Sequence, residues 1–153
     1  MEKGHKKLGE ILIEKGLITA EELEQALNEQ VKTKEFLGAV LLRKNQIKER
    51  DLFEALSEQY SIPLISLKNR YIDWKIVKEF SASLILDYMC FPIKKDDWSM
   101  TIAITNPLDA WAIKRAEEET SGFKLKLVLV SSEDMREAIH RYKQFMRGRI
   151  FKF

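Results

Sequence analysis

Residues 7–30, KLGEILIEKGLITAEELEQALNEQ, recur without a gap as residues 36–59, FLGAVLLRKNQIKERDLFEALSEQ. A shift of 29 positions lays Leu8 on Leu37, Gly9 on Gly38, Leu12 on Leu41, Ile18 on Ile47 and Leu23 on Leu52. Ala26, Leu27, Glu29 and Gln30 fall on Ala55, Leu56, Glu58 and Gln59. Self-similarity at a fixed period sets architecture before any other signal. Within each copy the apolar residues recur at helical spacing, so each copy is expected to be a pair of helices. Gly16 supplies a left-handed cap after the first helix, and Asn45, the next-best residue for that conformation, stands at the matching place. Thr19 followed by Glu22 reads as a capping box opening the second helix. Val31–Glu35 is a short polar link.

Beyond the repeats the period changes. Tyr60–Leu67 is extended in character, with Pro63 blocking a helix. Residues 73–89 read as two helical pieces divided near Ser81. Cys90–Ile93 and Ser99–Ile104 read as strands of a hairpin around residues 94–97. Asp109 caps a helix that Gly122 stops, Lys124–Val130 is a strand, and Ser132 opens a last helix carrying Met135, Ile139, Tyr142 and Met146. The expected fold class is α+β. A helical subdomain of two tandem helix pairs spans 1–62, and a small α/β subdomain with a three-stranded sheet spans 63–146. Residues 147–153 form a basic, aromatic tail open to reading as a linker, a partner contact or a membrane-surface contact. No Gly/Ser linker separates the halves, which are expected to pack together.

Composition narrows the function. A chain of 153 residues with net charge +2 gives no support for wholesale polyanion binding. Its apolar runs are too short to span a bilayer and its start lacks a secretory hydrophobic stretch, so a cytoplasmic protein is expected. One cysteine and two histidines, His5 and His140, argue against a disulfide framework and most transition-metal sites. No phosphate loop or nucleophile elbow occurs, and the acidic run Glu117–Glu119 reads as a solvated helix face. Cys90 reads as a small core residue. No enzyme is expected. DNA binding through paired helices fits poorly, because the second helix of each repeat is rich in acids that phosphates repel.

The repeats therefore carry the functional question. One reading is an interaction scaffold in which leucines pack and glycines cap or permit close approach. The sharper reading takes Gly9 and Gly38 as backbone open to a ligand. Leu23 and Leu27 then line a stripe ending in Gln30, whose amide could bond a base edge while the leucines pack on a flat ring. Two such half-sites suit a two-fold ligand.

The doubled pattern resembles the MshEN-type N-terminal domain, also called the general secretory system protein E N-terminal domain. That domain is found on ATPases of type II secretion and type IV pilus assembly. Lys7, Leu8, Gly9, Leu12, Gly16, Leu23, Leu27 and Gln30 fill the first motif. Phe36, Leu37, Gly38, Leu41, Asn45, Leu52, Leu56 and Gln59 fill the second. The likeness continues through Gln59–Pro63, Phe91–Ile93, Ile102–Pro107 and Ala138–Tyr142. The resemblance implies a regulatory ligand, cyclic di-GMP, rather than a resident cofactor. It also implies docking on the cytoplasmic domain of a membrane-anchored secretion or pilus-assembly protein, such as secretion protein L, and an ATPase domain in cis. The leucines would pack on the guanines, Gly9 and Gly38 would approach closely, Lys7 would meet phosphate, and Gln30 and Gln59 would make polar contacts. Lys7 stands where the strongest nucleotide binders of the family have arginine. A lysine lacks the guanidinium's forked bonding and stacking, a difference of about 1–3 kcal/mol. Asn106 stands where an aspartate commonly precedes this proline.

Overall fold

Lys7 and Phe36 adopt nearly the same extended backbone, φ −71° and ψ 150° against φ −67° and ψ 148°, and each launches a short helix. The computed structural model describes residues 7–150, which divide between Ile62 and Pro63 into two compact units. His5 and the other residues before Lys7, and tail residues 151–153, lie outside the described residues.

The N-terminal unit holds α1 (Leu8–Glu14), α2 (Ala20–Thr33), α3 (Leu37–Arg43) and α4 (Glu49–Tyr60). Its local structure repeats along with its sequence. Gly16 (φ 72°) and Asn45 (φ 57°) both turn left-handed after their helices. Their N–H groups donate to Ile13 O and Leu42 O, and the next amides donate to Leu12 O and Leu41 O, at 2.9–3.0 Å. These bonds satisfy helix-end carbonyls that would otherwise be orphaned. The capping box forms as the sequence implies: Glu22 N–H donates to Thr19 Oγ1 and Thr19 N–H to Glu22 Oε1. At the second copy only half of it survives, with Lys48 N–H donating to Asp51 Oδ2. The polar link proves shorter than the sequence suggests. α2 runs on through Thr33, and Lys34 (φ 65°) turns the chain.

Helix packing does not stay within a repeat. α1 packs most extensively on α4, and α2 on α3, so each repeat lends its second helix to the other's first. The ion pairs follow the same exchange: Lys15 reaches Glu58 at 3.6 Å, and its counterpart Lys44 reaches Glu29 at 3.4 Å. Ile11, Leu12, Val40, Leu41, Ala26 and Ala55 are buried here.

The C-terminal unit is built on a three-stranded sheet, order β1-β2-β3. β1 (Phe91–Lys95) pairs antiparallel with β2 (Ser99–Ile104), which pairs parallel with β3 (Lys124–Leu129). β1 thus begins one residue later than the sequence suggests and runs two further, with a register shift between Pro92 and Lys94. The hairpin turn closes where the Asp96 carboxylate accepts N–H bonds from Trp98 and Ser99. The extended segment after Pro63 lies along β3: Leu129 N–H donates to Pro63 O (2.7 Å) and Ile65 N–H to Leu129 O (2.9 Å). The helices are α5 (Trp74–Val77), α6 (Ala82–Leu86), α7 (Ala110–Glu119) and α8 (Ser132–Ile150). Val77, Ile85, Phe91, Ala103 and Val130 form one core with Met135, Ala138 and Tyr142 of α8.

Ser132 opens α8 as expected, and the Ser131 hydroxyl before it accepts the Asp134 N–H at 3.1 Å. Two expectations change here. α8 continues past Met146 to Ile150, so the first residues assigned to a tail are helical. Glu119 is not part of a solvated run. It accepts from Ser81 Oγ (2.6 Å), Ser81 N–H (2.8 Å) and Arg115 Nε (2.7 Å). The chain needs that carboxylate to tie α7 to the start of α6, whereas Glu117 and Glu118 do face solvent.

Candidate functional site

The two glycines have the same neighbour in each repeat. A Cβ on Gly9 would sit 2.7 Å from Leu23 Cδ1, and one on Gly38 would sit 2.7 Å from Leu52 Cδ1. Each glycine is therefore a socket in which the first leucine of the companion helix is seated. The helices approach this closely only because the socket has no side chain. This alters the sequence reading: in the present structure, leucine rather than open space lies over Gly9 and Gly38.

The remaining motif residues fall into layers. Leu12 and Leu41 are fully buried, and Leu8 is buried less completely. Leu37, Leu23, Gln30 and Gln59 are half-buried, with part of each side chain at the surface. Lys7 is exposed at the mouth of α1. The copies differ most at their second-helix leucines. Leu27 is 42% exposed, while its counterpart Leu56 is 5% exposed and Leu52 is 8% exposed. Phe36, which replaces Lys7 in the second copy, is 49% exposed. The α2–α3 side of the unit thus presents an apolar surface, joined by Val31, that the α1–α4 side does not match.

Ion pairing is also concentrated on the α2–α3 side. Arg43 Nη2 donates to Glu29 Oε1 and to Glu35 Oε1, each at 2.8 Å. Those bonds from Arg43 hold both carboxyls below the ordinary glutamate range. The two carboxylates, Glu35 foremost, in turn raise the guanidinium above its own ordinary value. Sequence reasoning missed Arg43 because its counterpart is Glu14, so the repeat does not flag it.

Neither of two clefts gathers the motif residues. One of about 770 Å³ lies in the C-terminal unit, between residues 67–72, β1 and α8. Another, of about 630 Å³, lies at the start of α4. The expected ligand contacts that reach the surface lie outside both clefts. No group of three His, Cys, Asp or Glu able to hold a metal occurs among the described residues. No helix among them is long and apolar enough to cross a membrane.

Known proteins resemble this chain over most of its length. The MshEN domain family matches residues 60–149. The type IV pilus assembly ATPase PilB of Myxococcus xanthus (strain DK1622) is 30% identical over 136 residues, which are 89% of this chain and 24% of PilB. The chain thus spans about a quarter of that relative's length. Among solved structures, MshE with cdg superposes with a TM-score of 0.82 at 26% identity, covering 90% of this chain and 99% of that one. The N-terminal domain of XpsE superposes with a TM-score of 0.69 at 22% identity, covering 92% and 98%, and speaks for the fold alone.

Proposed function

The chain belongs to the MshEN domain family, and from that premise we propose that it is a regulatory and docking domain of a type II secretion or type IV pilus-assembly ATPase that binds cyclic di-GMP. The reading assigns it binding rather than catalysis. One observation carries it: the two motifs fold as copies, with the same socket and cap inside each and matching ion pairs exchanged between them. A ligand with two guanines and two phosphates would meet the same chemistry twice. That MshE was solved with cdg, cyclic di-GMP, supports the same choice of ligand.

In this proposal Leu23, Leu27 and Leu37, which reach the surface, pack on or beside the guanines, with the buried Leu8, Leu52 and Leu56 behind them, and Phe36 adds an aromatic face. Gln30 and Gln59 bond base edges or ribose, and Lys7 meets a phosphate as a point charge. Leu12 and Leu41, fully buried, support those faces from beneath, and Gly9 and Gly38 let the contacting leucines sit low. The ATPase domain lies in cis, and the partner is the cytoplasmic domain of a membrane-anchored assembly protein.

Calorimetric titration with cyclic di-GMP beside cyclic di-AMP and GTP tests this. Selective binding of cyclic di-GMP is expected. Gln30→Ala and Gln59→Ala each weaken it by about tenfold, and Lys7→Arg strengthens it by about tenfold or more. No heat at high micromolar cyclic di-GMP removes the ligand and leaves docking alone. The exposure of Leu27, Val31 and Phe36 on one side of the unit favours that second reading, a docking face without a nucleotide. It predicts partner binding that Gln30→Ala and Gln59→Ala leave unchanged.

A further inference from the structure

The geometry points to Arg43 as a positioning residue that braces Gln30 and Phe36 before ligand arrives, making the two half-sites unequal. The inference rests on the reading of those two residues as ligand contacts. Arg43 ends α3, yet its guanidinium reaches back to Glu29, in the last turns of α2, and to Glu35 in the link itself. Glu29, which it holds at 2.8 Å, directly precedes Gln30. Glu35, held at the same distance, directly precedes Phe36. Lys44 adds a second cation to Glu29, and Thr33 Oγ1 donates to Glu29 O while accepting the Glu35 N–H. Lys34, in the left-handed conformation, turns the chain inside this frame.

The arginine fork belongs to one copy of the sequence only. Shifting by 29 residues turns Lys44–Glu29 into Lys15–Glu58, which also forms. The same shift turns Arg43 into Glu14, which cannot supply a cationic fork. Arg43 and its acids are partly exposed, so the network contributes little to global stability. What it does is order. A link already fixed in one conformation loses less freedom when a ligand settles on its flanks. The braced half is also the one whose leucine and phenylalanine stand open, Leu27 and Phe36, while Leu52 and Leu56 are covered.

Two measurements on the whole chain test this. In the ligand-free protein, Arg43→Gln is expected to speed amide hydrogen exchange across residues 30–37 by about tenfold. Exchange in α1 and α4, and the thermal midpoint, should stay unchanged. In calorimetry Arg43→Gln weakens cyclic di-GMP by about tenfold, Arg43→Lys by less, and Lys15→Gln by under about twofold. Unchanged exchange across 30–37 overturns the brace whether or not ligand binds. Lost affinity with unchanged exchange means Arg43 touches the ligand itself, which also overturns it. Equal effects of Lys15→Gln and Arg43→Gln overturn the inequality. Absence of binding by the unaltered protein defeats the reading of the site, while the exchange result still reports on the brace.

Discussion

Gly9 and Gly38 set two opposing effects against each other. Alanine is the better helix former by about 1 kcal/mol, but its methyl would press into the terminal carbons of Leu23 or Leu52. Overpacking of that kind costs about 1–3 kcal/mol. Gly9→Ala is therefore expected to lower stability modestly in urea unfolding. In a Leu23→Ala background the socket is empty and the same change should stabilise. A sum of the single effects, with no coupling, would remove the socket from the account. Asn45 gives the converse case. It holds φ 57° where its counterpart is Gly16, and side-chain residues pay roughly 1–2 kcal/mol in that region, less for asparagine. Asn45→Gly should raise the unfolding midpoint and Asn45→Ala should lower it. Cys90 is buried, and burial first, then the charges of Asp109 and Glu119, pushes its thiol up to about 12. Alkylating reagents should label it only as the protein unfolds, which mass spectrometry of timed reactions will show.

Among the elements, the junction of α6 and α7 has a predicted pH signature. Burial raises the Glu119 carboxyl, but bonds from the Ser81 hydroxyl and amide and from Arg115 outweigh it, and the net shift is downward. A carboxylate depressed on folding stabilises above its unfolded pKa, and that contribution disappears as pH falls through the folded value. Glu119→Gln should thus lower stability near neutral pH by about 1–3 kcal/mol. The gap to the unaltered protein should narrow in acid; a gap independent of pH would contradict the assignment. The network also shows where sequence reading stops. Caps were legible because their partners lie within a few residues: Thr19 with Glu22, Gly16 and Asn45 with the helix just behind them. The strands and the division at Ser81 followed from local period and punctuation. Glu119 and Ser81 lie 38 residues apart, and no local pattern joins them. The same limit governs the site. Leu27 and Leu56 occupy one motif position, yet one is open and the other covered. The motif has leucine at both places and so does not carry that difference.

For the whole molecule, the two units separate the expected responses. If the motifs hold the ligand, cyclic di-GMP should slow amide exchange in residues 7–62 and leave the sheet of the C-terminal unit, β1 to β3, unaltered. Protection centred on the sheet would place the ligand elsewhere. A deeper consequence follows from α1 resting on α4 and α2 on α3. Within a repeat the two helices meet at the glycine socket, but each finds its more extensive packing in the other repeat, so a single repeat is expected to be a poor folding unit. The N-terminal unit is in effect a dimer whose two protomers share one chain. The residues around Lys34 serve as a tether that keeps their local concentration in about the millimolar range. A peptide of residues 7–34 alone should be largely unfolded when dilute and gain helix with concentration as copies pair. A single cut in the tether should leave both pieces associated, held by contacts that were intermolecular in kind from the start.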